Sequence, residues 1–357
     1  MSDSIDTVLP FQASPANAPV LATQSLADIR TAGETTASTD LGTDVGTDAG
    51  TDADHARRFG GVARLYGTAG LQRFERARVA VIGIGGVGSW AAEALARTAI
   101  GHLTLIDLDH VGESNTNRQL HALEGNYGKA KVDAMAERIR AINPYCDVQT
   151  IDDFIATDNF EAILGGGRFH YLIDAIDNTR TKTALIAWCA AQGQPIITVG
   201  SAGGQIDPLR IRISDLSKTV QDPLLAKVRQ QLRREHGFSK SLKTRFGISA
   251  VYSDEPLRYP GSVVVSGATA GEGDSATLAE APACDIDTGT TAAPADHATD
   301  AAMGPTGLNC AGFGSSVCVT ASFGLAAASH VLMALASPTP PATKTAKTTV
   351  KTTAATA

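Results

Sequence analysis

The chain has 357 residues, 43% hydrophobic and 19% charged, with a formal net charge of -7. This is enough for one large domain or two small ones around a sizeable core, and 35 glycines suit an α/β protein with many tight turns. Five scattered cysteines (Cys146, Cys189, Cys284, Cys310, Cys318) form no CxxC pair, which argues against a disulfide framework or a four-thiolate zinc site and fits a reducing, cytoplasmic setting.

The opening "MSDSIDTVLPFQASP" has neither a basic n-region nor an apolar core, so no secretory signal is expected. Residues 1–54 carry nine acids and one base, with the near-repeat "TDLGTDVGTDAGTDAD", and read as a disordered acidic tail. Residues 266–303 carry seven acids and no base and read as a disordered insertion; 337–357, rich in Pro, Thr and Lys, read as a second disordered tail. The remainder, 55–265 with 304–336, holds 26 bases against 21 acids. A net positive folded part is compatible with a polyanionic partner.

Within that part, "RVAVIGI" (78–84) reads as a buried parallel strand, "SWAAEALARTAI" (89–100) as a helix and "HLTLIDLD" (102–109) as a second strand. A helix over 129–144 presents Val132, Met135, Ile139 and Ile142 on one face. "CDVQTIDDFI", "YLIDAID" and "PIITVGS" supply three more strands, with the helix "TKTALIAWCAAQG" between the last two. Strands alternating with helices predict a doubly wound, Rossmann-like, mostly parallel sheet with helices on both faces. The uncharged segment 311–336 is expected as a buried helix of the same core, the alternative being membrane association. Cys189, Cys310 and Cys318 are expected to be buried small hydrophobes rather than nucleophiles.

"GIGGVG" contains Gly83, Gly85, Gly86 and Gly88 in a GxGxxG pattern between strand and helix. The glycines let backbone approach phosphate, the helix N-terminus favours an anion, and Asp107 ends the next strand where a ribose-binding acid is expected. This pattern serves NAD and ATP alike. The sequel separates them. "DLDHVGESNTNRQ" adds Asp109, Asn115, Asn117, Arg118 and Gln119; Lys131 follows on a helix, and "DAIDN" brings Asp174, Asp177 and Asn178 to another strand end. In such a sheet these ends share one crevice. Arg118 and Lys131 as polyphosphate clamps, and Asp177 as a magnesium ligand, suit ATP; hydride transfer needs none of them.

These motifs ("GIGGVGS", "DLDHVGESNTNRQ", "GKAKV" and "DAIDN") resemble the ubiquitin-activating-type adenylating enzymes, which include the molybdopterin- and thiamine-pathway adenylyltransferases. The resemblance covers about 57–215. It implies acyl-adenylate formation from Mg-ATP in a homodimer, with Asp107 on ribose, Arg118 and Lys131 on phosphates, Asn115 lining the site and Asp177 on magnesium. Two departures stand out. The CxxC pairs of many relatives are missing, and "RRFGGVARLYG" places Gly61 where many relatives carry an arginine that reaches the partner's ATP. Arg64, one helical turn on, and Arg58 are the candidates for that role.

"RRFGGVARLYG", "VGSAGGQIDPLRIRISDLSKTVQDPLLAKVRQQLR" and "NCAGFGSSVCVTASFG" resemble, more narrowly, the branch that dehydrates threonylcarbamoyladenosine in tRNA, over about 57–265 and 304–333. That resemblance implies adenylation of the threonine carboxylate followed by ring closure. Residues 227–245 hold seven bases and one acid (Lys227, Arg229, Arg233, Arg234, Lys240, Lys243 and Arg245 against Glu235), and are the expected tRNA contact. An apolar stripe of Leu224, Leu225, Val228 and Leu232 predicts that the helical bases point outward. The alternative is an adenylyltransferase for the C-terminal glycine of a sulfur-carrier protein; the missing CxxC pairs and the basic stretch count against it. The resemblance also admits a sulfur-transfer partner, for which no residue argues. No DNA partner is expected.

Overall fold

The computed structural model describes residues 48–166, 168–258 and 313–337. The insertion 266–303, Cys284, Cys310 and the tail beyond Ser337 lie outside them. From Thr51 onward the chain belongs to one unit. Helix α1 (Asp48–Tyr66) begins inside the stretch read as a disordered tail. Asp54 explains the difference: its carboxylate pairs with Arg57 and Arg58 one turn on and accepts from Tyr145 Oη at 3.0 Å.

After α2 (Thr68–Arg76) come β1 (Arg78–Ile82), α3 (Gly88–Arg97), β2 (His102–Ile106), α4 (Lys131–Ile142) and β3 (Asp147–Ile151). Then follow α5 (Phe160–Leu164), β4 (Tyr171–Asp174), α6 (Thr179–Gln192), β5 (Ile196–Val199), β6 (Ile211–Asp215), α7 (Pro223–Glu235), β7 (Ser249–Ser253) and α8 (Val317–Ala336). The strands form a seven-stranded sheet in the order β3-β2-β1-β4-β5-β7-β6, parallel except for β6. Strands β6 and β7 were not expected from the apolar pattern. Ile213 is exposed and β6 is edge, so its residues do not form a buried apolar run.

Alternation along β1 sets the two layers. Val79 and Val81 face a core built from α3, α4 and α8; Ala80 and Ile82 face one built from α5, α6 and α7. Helix α8 is the one helix among the described residues long and apolar enough to cross a membrane. It is packed in the first of these cores through Val319, Phe323, Ala327 and Val331. A Cβ at Gly324 would stand 2.3 Å from Val87 O, so only glycine lets α8 meet the start of α3.

Strands end earlier than their apolar runs because side chains turn the chain at their C-terminal edges. Past β2, Asp107 Oδ1 accepts the amide of Asp109 at 2.9 Å; past β4, Asp174 Oδ1 accepts that of Ile176 at 3.1 Å. Asn178 caps α6 by accepting from the amides of Arg180 and Thr181, and Gly193 closes it with φ of 67°. Asp222 and Pro223 start α7. Its stripe Leu224, Leu225, Val228 and Leu232 is buried as expected.

Candidate functional site

A cleft of about 580 Å³ runs along the C-terminal strand ends. Its floor is the turn from β1 into α3. Gly83 has φ of 88°, and a Cβ there would stand 2.8 Å from Ala175 O; at Gly88 it would stand 1.8 Å from Gly83 O. No larger residue fits at either position. Ser89 Oγ donates to Gly85 O at 2.7 Å and tightens the turn. Among the described residues nothing accepts from the amides of Gly85, Gly86 and Val87, which front the cleft. Together with the N-terminus of α3 they form a seat for an anion.

Gly83, Gly85, Gly86, Asp107, Asp109 and Asn115 line this cleft, as do Arg118, Gln119, Lys131 and Asp177. Gly88 lies just beneath as the closing glycine. Asp107 Oδ2 accepts the amide of Ile84 at 2.5 Å, locking β2 to the glycine turn. Burial raises its pKa, while Lys131 and the amides of Asp109 and Ile84 pull the other way. The Lys131 side chain is only 7% exposed, and its Nζ lies 2.6 Å from Asp109 Oδ2. This ammonium borders the cleft and is already largely desolvated, so it would lose little hydration on meeting an anion.

Arg118 lays its stem across Gly86, where a Cβ would stand 3.1 Å from Arg118 Cγ. Its Nη1 donates to Ser114 O at 2.8 Å and Asn117 Oδ1 at 2.9 Å, and Trp90 Nε1 holds its carbonyl at 3.1 Å. Trp90 thus positions Arg118, a role its place in an apolar helix does not advertise. Asn115 Oδ1 is occupied by the amide of Gly112, closing the short 3-10 turn Glu113–Asn115. Asn117 reaches the other way, donating to Ser315 O at 3.1 Å. Gln119 is buried at the cleft wall with Oε1 unpartnered among the described residues. Asp177 is exposed at the opposite lip.

Three features of the site were given no role from sequence. The loop Gly200–Gly203 after β5, with Phe313, Ser315 and Thr320, extends the cleft beyond Asp177. The run "VGSAGG" after a strand was the available signal, because strand ends of such a sheet share one crevice. Beneath the Asp177 lip, Lys182 and Asp174 form a fully buried ion pair of 2.8 Å joined by Thr198. His121 is buried with both ring nitrogens unpartnered among the described residues; burial and then the nearby Lys131 charge push its pKa down to about 4.

Arg64 and Arg58 do not line the cleft. Arg58 pairs with Asp54 at 2.7 Å, whereas Arg64 is exposed and has no hydrogen bond or ion pair among the described residues. The basic stretch needs correcting. Lys227, Arg234, Lys240, Lys243 and Arg245 are exposed, but Arg229 and Arg233 are half-buried. Arg229 donates to Thr219; Arg233 lies over the Phe246 ring, 5.1 Å from its centroid, and donates to Ser239 O. These two fold onto neighbouring loops instead of pointing outward. A second correction concerns Cys318, which is exposed in the first turn of α8, unlike the buried Cys146 and Cys189. The apolar stripe of α8 starts at Val319, so Cys318 falls on its other side.

The sequence matches the ThiF family over residues 59–356. The chain belongs to the ThiF family. Within the family it is 48% identical over 280 residues to the tRNA threonylcarbamoyladenosine dehydratase of Escherichia coli, covering 77% of this chain and 92% of that one. Crystal structures of the E. coli tRNA N6-threonylcarbamoyladenosine dehydratase in complex with ATP and with AMP match with a TM-score of 0.63 each, at 45% and 44% identity. They span 78% and 82% of this chain and 94% and 98% of theirs. By contrast the molybdopterin-synthase adenylyltransferase of Salmonella typhimurium is 30% identical over 138 residues, 38% of this chain and 54% of its own. The chain therefore falls with the tRNA threonylcarbamoyladenosine dehydratases inside the ThiF family.

Proposed function

We propose that the protein uses Mg-ATP to adenylate the threonine carboxylate of threonylcarbamoyladenosine beside the tRNA anticodon, after which the derivative cyclises and releases AMP. The observation that carries this reading is the convergence of the glycine turn, Asp107, Arg118, Lys131 and Asp177 on one cleft. The E. coli relative's name supplies the substrate class, and its solved complexes hold ATP or AMP.

ATP fits the residues present. The anion seat takes phosphate, Asp107 takes the ribose hydroxyls, and Gln119 Oε1 is an acceptor awaiting a donor. For magnesium, the described residues contain no cluster of three metal-ligating side chains. An ion there would be held by the exposed carboxylate of Asp177 at the cleft lip and by the phosphates themselves. When bound there it would neutralise charge on the departing pyrophosphate.

In the reaction, a carboxylate oxygen attacks the α-phosphorus and the bond to the bridging oxygen of pyrophosphate breaks. Arg118 and Lys131 stabilise the charge that develops. An internal nucleophile of the same substrate then attacks the acyl carbon and expels AMP, with net loss of one water. Proximity within the substrate replaces an enzyme thioester: Cys146 and Cys189 are buried, and the exposed Cys318 does not line the cleft. The extension at Gly200–Gly203 and Phe313 gives the acyl part room. Lys227, Arg234, Lys240, Lys243 and Arg245 offer exposed charge to the tRNA backbone.

We further read the enzyme as a cytoplasmic homodimer in which Arg64, unengaged among the described residues and outside its own cleft, serves the ATP of the second copy. Residues 55–265 with 304–336 then make one adenylating domain interrupted by 266–303. Incubation with Mg-ATP and tRNA bearing threonylcarbamoyladenosine tests the function. Nucleoside mass spectrometry is expected to show loss of one water, with AMP and pyrophosphate released. An unchanged nucleoside together with adenylation of a carrier-protein tail would transfer the assignment to the alternative.

A further inference from the structure

Asp222 joins two parts of the fold through one carboxylate. Its Oδ1 caps α7, accepting from Leu225 N at 2.9 Å, and its Oδ2 accepts from Ser201 N, also at 2.9 Å. Ser201 lies 21 residues earlier, in the loop after β5 that lines the cleft. Both residues are buried, at 3% and 5% exposure. Leu224, in the first turn of α7, lines the cleft as well.

A helix cap alone does not call for this residue. One acceptor oxygen is enough, and serine or asparagine supplies it without burying a charge. The second oxygen serves the loop. Burial raises the Asp222 pKa, while the amides of Leu225 and Ser201, and then the charges of Lys182 and Arg229, pull the other way. The neighbouring backbone fixes the carboxylate's direction. Gln221 before it takes φ of 54°, a region side chains rarely adopt, and Pro223 after it keeps Asp222 extended, at φ of -124° and ψ of 105°. The loop fits as closely from its own side: a Cβ at Gly200 would stand 1.9 Å from Asp222 Oδ2. Its far end is tied separately, Gly204 N donating to Gly314 O at 2.8 Å.

We propose that Asp222 is a positioning residue for the reaction: it latches the cleft loop Gly200–Gly203 to α7, so that the helix presenting Lys227 and Arg234 outward sets the loop that receives the acyl end of the substrate. The proposal rests on the reading of that end of the cleft as the acyl site. Loss of the latch leaves the phosphate seat between β1 and α3 intact and lets the acyl group drift from the α-phosphorus. A misplacement of about 1 Å can cost about a hundred-fold in rate, so turnover is expected to fall about ten- to a hundred-fold.

The test compares the full-length wild type with Asp222→Ser, Gly200→Ala and the two changes together. Asp222→Ser keeps an acceptor for the Leu225 amide and withdraws the one for Ser201; Gly200→Ala disturbs the same contact from the loop. Asp222→Ser should keep the wild-type Kd for Mg-ATP and for tRNA bearing threonylcarbamoyladenosine, while kcat falls about ten- to a hundred-fold. Hydrogen exchange should quicken at the Ser201 amide and stay slow at the Leu225 amide. The double variant should be no slower than Asp222→Ser, because both changes break one contact. Gly200→Ala alone reads the same kcat and exchange if Asp222→Ser does not fold. Wild-type kcat in a variant whose Ser201 amide is freed would overturn the proposal, as would a loss confined to the Kd of ATP or of tRNA, or losses that multiply in the double variant. A wild type that leaves the nucleoside unchanged would instead defeat the functional reading on which the proposal rests.

Discussion

Lys182 and Asp174 allow a quantitative test of how the cleft lip is held. Both side chains are 0% exposed. Lys182 Nζ donates to Asp174 Oδ2 at 2.8 Å, Asp174 O at 3.2 Å and Thr198 Oγ1 at 3.1 Å. Thr198 Oγ1 in turn donates to Asp174 Oδ2 at 2.7 Å, and Ile176 N to Asp174 Oδ1. All three ammonium protons are therefore used. Lys182→Met leaves a buried carboxylate without its counter-charge, a loss of about 3–5 kcal/mol. That is a large part of a typical folding stability of about 5–15 kcal/mol. Lys182→Met with Asp174→Asn removes the stranded charge yet keeps an acceptor for Thr198, and should recover about 2 kcal/mol. Urea unfolding followed by circular dichroism measures both. A single mutant within about 1 kcal/mol of wild type, or a double mutant less stable than the single, would refute the reasoning.

Other expectations follow from the same geometry. Asp177→Ala should reduce ATP-dependent turnover at least about a hundred-fold with the urea midpoint unchanged, since the side chain is exposed; unimpaired turnover would remove the magnesium assignment. The His121 pKa is lowered from 6.5 to about 4, so above pH 6.5 the residue is neutral folded or unfolded and contributes nothing to pH dependence. As pH falls from 6.5 toward 4 the unfolded chain takes up a proton that the fold refuses, and stability drops by up to about 3 kcal/mol. His121→Phe should flatten that acid limb in thermal melts read from pH 4 to 7. Lys240→Gln with Lys243→Gln and Arg245→Gln should weaken tRNA binding and lower the salt slope by about one for each phosphate no longer neutralised. Arg233→Gln should instead cost about 1 kcal/mol of stability through its place over Phe246, leaving the salt slope unchanged.

The glycine turn and the residues that share its cleft were legible because spacing places them at neighbouring strand ends. Gly83 and Gly88 are demanded by backbone clashes, and Asp107, Arg118 and Asp177 follow strands whose ends must share a crevice. The first five strands were legible from their apolar runs, but not β6, which lies at an edge, nor β7 beside it. What spacing did not reveal depends on where a side chain finds its partner across the fold. Lys182 reads as an ordinary helix charge until Asp174 and Thr198 are brought under it. Arg229 and Arg233 read as outward bases until Thr219 and Phe246 are seen beside them. Cys318 sits in an apolar run, yet the helix register turns it outward. Asp54 ends an acidic stretch but is tied by Arg57, Arg58 and Tyr145.

The central claim is that the threonine carboxylate becomes an acyl adenylate, and an oxygen label follows that step directly. tRNA whose threonylcarbamoyladenosine carries ¹⁸O in the carboxylate would be turned over with Mg-ATP, and the released AMP weighed by mass spectrometry. Attack by the carboxylate on the α-phosphorus predicts one labelled oxygen in each AMP, formed in step with the dehydrated nucleoside. Unlabelled AMP, or dehydration accompanied by ADP and phosphate, would contradict it.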